Sequence, residues 1–249
     1  MKFIDAVTRS ARRIFAASET VMPVSWIKRD PRSWFTREIA GDVIRPGKPA
    51  AARDITNRIK LTEALGERPL WEGYGQPGAT RDAKSVSTKR EVGRVYSWLA
   101  RTRKPDVIVG FGSAFGVSGM YWLAGLEEAG CGELLSFEVN PEWAAIARVN
   151  LASIGARFSL TVGMFKDHIA EKLNHRKIGI AFIDAIHTSE FVDRQFEIVL
   201  SHIAPGGIVI LDDIDFSPDM AACWQRLAQD ERVASSLSID GHIGALETA

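Results

Sequence analysis

Short apolar runs alternate regularly with amphipathic stretches from Lys104 to the end of the chain. This alternation is typical of a parallel sheet with helices on its faces. Five successive strand-helix units are predicted, with strands at PDVIVGF, GELLSFEV, RFSLTVG, IGIAFID and GGIVILDD. Two last strands, VASSLSI and HIGALET, flank the pair Asp240-Gly241, which favours a hairpin turn. The sheet is therefore predicted to end in an antiparallel pair.

The predicted fold is α/β, a Rossmann-like, doubly wound sheet of seven mostly parallel strands with an antiparallel last strand. Residues 1–85 show helical periodicity in two stretches, KFIDAVTRSARRIF at residues 2–15 and AARDITNRIKLTEAL at residues 51–65. Prolines and glycines between and after them indicate loops. We expect residues 1–85 to form an N-terminal cap of short helices and loops, and residues 86–249 to form the Rossmann-like domain. The amphipathic stretch around Phe3 to Phe15 could pack on a partner subunit in a homo-oligomer.

Composition narrows the class of protein. No stretch approaches the run of about 18 apolar residues that a membrane-spanning helix needs. Asp5 and three arginines interrupt the start of the chain, where a secretory leader would need an apolar run. Two cysteines, Cys131 and Cys223, are too few for a disulfide framework and are predicted to be small core residues. We expect a cytoplasmic protein with no membrane contact.

The net charge of zero hides a strong asymmetry. Residues 1–104 contain 22 Lys and Arg against 11 Asp and Glu, a balance of +11, whereas residues 105–249 contain 9 against 20, a balance of −11. Such a division indicates either an anionic ligand that the basic part binds or two parts of the chain that face each other.

A glycine-rich turn, GFGSAFGVSG at residues 110–119, follows the first predicted strand. Glycines there let a ligand approach the backbone, and the next helix offers free N–H groups at its N-terminus. Glu138 ends the second strand, 22 residues after Gly116, where a carboxylate can accept both hydroxyls of a ribose. The pair predicts a nucleoside-binding site, which suits S-adenosylmethionine and nicotinamide cofactors alike.

Three carboxylates follow two neighbouring strands. Asp184 ends the fourth predicted strand, and Asp212 with Asp213 ends the fifth. Since parallel strands bring their C-terminal ends over one cleft, these side chains are predicted to converge. Such a cluster is costly unless a cation neutralises it, and oxygen ligands suit Mg²⁺, Ca²⁺ or Mn²⁺. His187, three residues after Asp184, is a candidate general base above this cleft.

From Pro105 to Ala249 the sequence resembles the class I S-adenosylmethionine-dependent methyltransferases. It is most similar to the metal-dependent small-molecule O-methyltransferases of the catechol, caffeoyl-CoA and sugar types. The motifs that carry the resemblance are the glycine turn, Glu138, the I-D-x-x-H element from Ile183 to His187, and the block APGGIVILDD at residues 204–213. Their order and spacing together are more specific than any one of them.

The resemblance implies methyl transfer from S-adenosylmethionine to a hydroxyl of a small diol, catechol or sugar. The implied cofactor contacts are Gly112, Ser113, Gly116, Ser118, Glu138, Val139, Met164, Phe165 and Asp184. The resemblance also implies that Asp184, Asp212 and Asp213 hold a divalent cation, Mg²⁺ before Ca²⁺ or Mn²⁺. Asp184 and His187 are the predicted catalytic residues. Gly110 departs from the family pattern, which has an acid two residues before the first glycine of the turn.

Other functions are compatible with parts of the pattern. An RNA methyltransferase would suit the basic N-terminal part, but its charges are scattered and no Asn-Pro-Pro-Tyr-like element follows the fourth strand. We therefore expect a small-molecule partner and no nucleic acid. A nicotinamide-dependent oxidoreductase would carry G-x-G-x-x-G, which the turn from Gly110 to Gly116 misses by one residue. A non-catalytic cofactor-binding protein is suggested by Gly110, but the carboxylates with His187 argue against it.

Overall fold

The computed structural model describes residues 20–73, 76 and 78–249, so the predicted helix around Phe3 to Phe15 lies outside the described residues. Its strands are β1 (Met22–Lys28), β2 (Val43–Ile44), β3 (Arg68–Pro69), β4 (Thr80–Arg81), β5 (Val107–Phe111), β6 (Glu133–Glu138), β7 (Phe158–Val162), β8 (Ile178–Ile183), β9 (Ile203–Leu211), β10 (Val233–Ile239) and β11 (Ile243–Thr248).

The α-helices of the described residues cover the sheet and connect its strands. They are α1 (Trp34–Glu38), α2 (Ala52–Glu63), α3 (Arg90–Arg103), α4 (Val117–Ala129), α5 (Pro141–Ala152), α6 (Phe165–Leu173), α7 (Ser189–His202) and α8 (Pro218–Ala228). A short 3₁₀ helix spans Ala83–Val86. Helix α2 falls within the stretch of residues 51–65, where the sequence predicts a helix.

Nine strands form one sheet in the order β2-β1-β10-β11-β9-β8-β5-β6-β7, and β3 and β4 form a separate pair. The pairs β5–β6, β5–β8, β6–β7 and β8–β9 are parallel. Strand β11 runs antiparallel to both of its neighbours, β9 and β10. The predicted Rossmann-like α/β fold with an antiparallel last strand is confirmed.

The sheet is two strands wider than the predicted seven, because the N-terminal part of the chain adds to its edge. Strand β1 pairs antiparallel with β10, where Val24 lies opposite Ile239, and β2 pairs with β1. Met22 and Val24 are buried, and the residues between and after them are exposed. This alternation is short and is interrupted by Pro23, so the sequence pattern favours loops there. The N-terminal part therefore contributes two strands to the sheet, whereas the predicted cap consists of helices and loops alone.

The core occupies both faces of the sheet. Along β5, Ile108 belongs to one apolar cluster, whereas Val107 and Val109 belong to the other. Successive side chains of a strand point to opposite faces, so a strand covered on both sides needs an unbroken apolar run. This is why the central strands can be recognised as apolar runs in the sequence. On one face, Trp122 of α4 stacks on Tyr96 of α3 with ring centroids 4.7 Å apart.

Two compositional expectations concern cysteines and membranes. Cys223 is fully buried, as predicted for a core residue, whereas Cys131 is only partly buried. Within the described part of the chain, no helix combines the length and the apolar character needed to cross a bilayer.

Candidate active site

A cavity of about 530 Å³ opens where the parallel strands β5, β6, β8 and β9 end. A cavity of this size holds a small molecule, and strand ends of this type are the usual binding crevice of such sheets. The predicted site residues that line it are Gly112, Glu138, Val139, Met164, Phe165, Asp184, His187, Asp212 and Asp213. The predicted cofactor contacts Ser113, Gly116 and Ser118 are not among the described residues that line it.

The backbone of Gly112 is in close contact with the end of the neighbouring strand β8. Its φ is +73°, and a Cβ atom on it would lie 2.2 Å from the carbonyl oxygen of Asp184. Its N–H donates to the carbonyl of Phe137 at 3.2 Å. Only glycine combines this left-handed conformation with this approach, so the turn after β5 is held against β8 at the cavity wall.

Ser113, Gly116 and Ser118, the other predicted residues of the turn, lie behind the cavity wall and hold the turn in place. The hydroxyl of Ser113 shares a hydrogen bond with the Ser136 hydroxyl and donates to the carbonyl of Phe137 at 3.1 Å. Gly116 has a φ of +83° and lies against Ala147, and Ser118 is buried in the first turn of α4. They shape the turn from inside the protein.

Gly110, which stands where the family pattern has an acid, is in ordinary extended backbone within β5. A Cβ atom there would lie 3.9 Å from Leu134 Cδ1 and 4.0 Å from Ser136 Oγ. The position therefore has room for a side chain, so steric crowding does not explain the glycine.

Glu138 is held rigidly at the end of β6. One carboxylate oxygen accepts the N–H of Ala114 at 2.7 Å, and the other accepts the N–H of Asn140 at 2.9 Å. The residue is only 6% exposed. Burial raises its pKa, and the N–H donors of Asn140 and Ala114 oppose that shift. The carboxylate is thus fixed beside the glycine turn, with lone pairs left for a ligand.

Two of the predicted carboxylates have strongly perturbed acidities. Burial raises the pKa of Asp184 well above its usual value, and the charges of Asp212 and Asp213 raise it further. Burial and the charge of Asp213 raise the pKa of Asp212 to about 7. Both shifts have the same physical causes, since negative charges meet in a desolvated site, and the charge of His242 only partly opposes the shift of Asp212.

Tyr96 lies beneath this cluster on α3 and is fully buried. Its hydroxyl has no hydrogen-bond partner of good geometry among the described residues, although it lies beside Asp212. Burial raises the pKa of Tyr96, as do the charges of Asp212, Asp184 and Asp213. The hydroxyl therefore keeps its proton and can donate it toward the cluster.

His242 joins the cluster, although the sequence patterns do not single it out. Its Nε2 lies 2.7 Å from Asp213 Oδ1, and its Nδ1 lies 2.6 Å from Asp215 Oδ1. Ligand atoms of Asp212, Asp213 and His242 all lie within 4.8 Å of one another. Asp184 is not a member of this group, which therefore differs from the predicted trio of carboxylates.

The position of His242 follows from strand order. Strand β11 lies next to β9 and antiparallel to it, with Gly244 opposite Leu211. The start of an antiparallel strand lies beside the end of its neighbour, so the hairpin before β11 reaches the cluster after β9. The available signal is a histidine directly after the Asp240-Gly241 turn, which is informative only once the strand order is known.

His187 lies at the mouth of the cavity. Its Nε2 is 3.5 Å from Asp213 Oδ2, and its ring centroid is 5.1 Å from that of Phe216. Burial lowers the pKa of His187, while the charge of Asp213 opposes that shift. The imidazole is therefore neutral at pH 7 and able to accept a proton.

Left-handed backbone accumulates around the cavity. Ala114, Ile186 and Asp213 all have positive φ angles, between 43° and 53°, and all three line the cavity. For Ile186, a β-branched residue, this conformation is an outlier. Strained residues of this type persist where surrounding structure holds them, commonly at functional sites.

Comparisons with known proteins point to methyltransferases. Residues 109–214 match the family model of a methyltransferase domain. A Mycobacterium avium (strain 104) protein that carries the name of a proposed O-methyltransferase is 24% identical over 174 residues, which cover 68% of this chain and 75% of the relative.

Solved structures with this fold include the O-methyltransferase from Bacillus cereus in complex with SAH, with a TM-score of 0.59 and 17% identity over 79% of this chain and 91% of that one. The O-methyltransferase TomG from Streptomyces achromogenes, in complex with SAM, has a TM-score of 0.58 and 18% identity over 78% of this chain and 89% of that one. These likenesses concern the fold. They show that the chain has the Rossmann-like α/β fold of these methyltransferase structures.

Proposed function

We propose that this protein is an S-adenosylmethionine-dependent O-methyltransferase that acts on a hydroxyl of a small diol, catechol or sugar with the help of a divalent cation. The observation that carries the proposal is one cavity with two kinds of wall. One wall has the fixed carboxylate of Glu138 beside the open turn at Gly112, and the other has the acidic cluster with His187. The SAM-bound and SAH-bound O-methyltransferases of the same fold support the choice of cofactor.

The cofactor would lie along the first wall. Glu138 would accept the ribose hydroxyls, and Val139, Met164 and Phe165 would provide apolar surface for the adenine. The ring of Phe165 is fixed from behind by Phe111, with centroids 3.7 Å apart. The methionine part would follow the turn at Gly112 toward Asp184. Bound there, the sulfonium supplies an electrophilic methyl group.

Replacing Glu138 by glutamine should weaken S-adenosylmethionine binding about tenfold or more, since hydrogen bonds to a charged group contribute about 1.5 to 3 kcal/mol. Isothermal titration calorimetry with S-adenosylmethionine and SAH measures the effect. Glu142→Gln is the matched control, because Glu142 is exposed on α5 and pairs with Arg68 outside the cavity wall.

The same titration separates the competing cofactors. Wild-type protein should bind S-adenosylmethionine and show no saturable binding of NAD. Binding of NAD in its place would support an oxidoreductase, and an unchanged affinity of the Glu138→Gln variant would contradict the role of Glu138.

The cation would be held by Asp212, Asp213 and His242. Asp215 accepts a hydrogen bond from His242 Nδ1, which leaves Nε2 to face Asp213. A carboxylate that orients a histidine in this way is the usual support of a metal-binding imidazole. The raised pKa of Asp212 also fits, because a bound cation would stabilise the ionised carboxylate. With one imidazole beside two carboxylates, Mn²⁺ becomes the preferred probe over Mg²⁺ or Ca²⁺.

The chemistry divides between the cation and the chain. A bound cation would act as a Lewis acid that lowers the pKa of the acceptor hydroxyl. His187, neutral through burial, would take the hydroxyl proton at Nε2. Phe216, 62% exposed beside it, would give an aromatic or sugar acceptor an apolar surface. Asp184 would contact the cofactor at the point where the two walls meet.

Mn²⁺ should raise the melting temperature by about 5 to 10 °C at a hundredfold excess over its Kd, and the rise should be larger at pH 8 than at pH 5. The pKa of Asp212 is about 7 in the folded protein and 3.8 without the fold. Folded protein therefore holds a proton on Asp212 at pH 5, which Mn²⁺ must displace, and has released it at pH 8. Differential scanning fluorimetry with Mn²⁺, Mg²⁺ or EDTA at both pH values measures this.

The control variants distinguish Mn²⁺ binding at this site from a general effect of added cations on stability. His242→Ala should abolish most of the Mn²⁺-induced rise, whereas His175→Ala, which changes an exposed histidine outside the cavity wall, should preserve it. Equal rises at the two pH values, or a full rise in the His242→Ala variant, would contradict the assignment of these ligands.

A further inference from the structure

A second cavity, of about 170 Å³, lies between the start of α2 and the first turns of α3. The side chains that give it its chemistry are Lys48, Arg53, Thr56, Arg90, Arg94 and Tyr121. It shares no lining residue with the larger cavity, although Lys89 lines the one and Arg90 the other. It is therefore a separate site, close to the first along the chain.

Four of its side chains are cationic, and no carboxylate lines it. None of the four forms an ion pair within the described part of the chain. Arg94 is half-buried and donates to the Thr20 hydroxyl, while Lys48, Arg53 and Arg90 are exposed. Like charges gathered around one concavity repel each other unless an anion is bound between them.

A tyrosine hydroxyl adds a neutral donor. Tyr121 is 2% exposed and lines the cavity. Burial raises its pKa, although the charges of Arg90 and Arg94 oppose this, so the hydroxyl keeps its proton. The ring reaches this place because Gly93 has no side chain, since a Cβ atom there would lie 2.3 Å from the ring.

The N-terminus of α2 faces the same cavity. Ala52, Arg53 and Thr56 of this helix line it, and the residue before the helix, Ala51, provides no capping side chain. The N–H groups of a first turn carry partial positive charge and bind anions. The backbone N–H groups of this helix start and the cationic side chains therefore both favour an anion in the cavity.

We propose that this second cavity binds a phosphate group, either as free phosphate or as the monoester end of a larger molecule. Guanidinium groups bind phosphate oxygens in pairs, and the Tyr121 hydroxyl can donate to a remaining one. The volume suits one such group and is too small for a cofactor of nucleotide size. The site also gives a reason for part of the basic balance of residues 1–104.

The test is titration of the full chain with inorganic phosphate by ³¹P nuclear magnetic resonance at constant ionic strength, with glycerol 3-phosphate as a second ligand. Saturable one-site binding is expected. Arg90→Gln and Arg53→Gln should each weaken it about tenfold or more, and Tyr121→Phe about threefold, as expected for charged and neutral hydrogen bonds. Arg37→Gln, which changes an exposed arginine of α1, is the charge-matched control.

Each outcome bears directly on the proposal. Binding of phosphate alone supports free phosphate as the ligand, and binding of both supports a monoester. Non-saturable binding, or an Arg37→Gln variant weakened as much as Arg90→Gln, would overturn the site. Tyr121→Phe keeps the charge and the ring, so it remains informative if an arginine variant folds poorly. Methyl transfer does not enter the readout, so this result is independent of the proposed function.

Discussion

Changing His187 to alanine is expected to lower kcat by about 10²- to 10⁴-fold with little change in S-adenosylmethionine affinity, which is the usual scale for loss of a general base. The imidazole lies 3.5 Å from Asp213 at the mouth of the cavity, and burial lowers its pKa. The variant therefore loses the group that accepts the hydroxyl proton but keeps the cofactor wall. Release of SAH with diols, catechols and sugars as acceptors provides the assay.

Thr188→Ala is the matched control for His187. The Thr188 hydroxyl accepts the N–H of Phe191 and caps helix α7, so the capping role belongs to Thr188. Loss of an N-cap costs about 1 kcal/mol, which should lower the melting temperature and leave kcat nearly intact. A His187→Ala variant with the same profile, reduced stability and preserved kcat, would show that His187 is structural.

Gly112→Ala is expected to reduce the free energy of unfolding by about 3 kcal/mol or more, from left-handed backbone and overpacking together. The added Cβ atom would lie 2.2 Å from the Asp184 carbonyl oxygen, which is main chain and cannot rotate away. Relief of the clash requires the ends of β5 and β8 to separate, so S-adenosylmethionine affinity should fall as well. Urea unfolding and calorimetry measure the two effects.

Gly110→Ala tests the same strand two residues earlier. A Cβ atom there is 3.9 Å from Leu134, an ordinary contact, so the free energy of unfolding should be unchanged or slightly increased. A Gly112→Ala variant as stable as Gly110→Ala would contradict the close approach of the turn to Asp184.

Local sequence patterns are sufficient to predict the central part of the fold. Strands β5 to β11 are visible as apolar runs, because a sheet covered on both faces allows few polar residues in its strands. The glycine turn and Glu138 can also be recognised in the sequence as parts of a binding site, because the role of each depends on its position at the end of one strand. For the same reason Asp184, Asp212, Asp213 and His187 were all predicted to line the cleft, and all line the cavity.

Which side chains meet depends on how distant parts of the chain pack together. His242 reaches Asp213 because β11 lies between β9 and β10, and no local pattern encodes that neighbour. Strand β1 joins the sheet through its pairing with β10, more than 200 residues away along the chain. Arg53 of α2 and Arg90 of α3 line one cavity, although they are far apart along the chain. Sequence periodicity reports which face of an element is buried, whereas contacts between distant elements depend on strand order and helix packing.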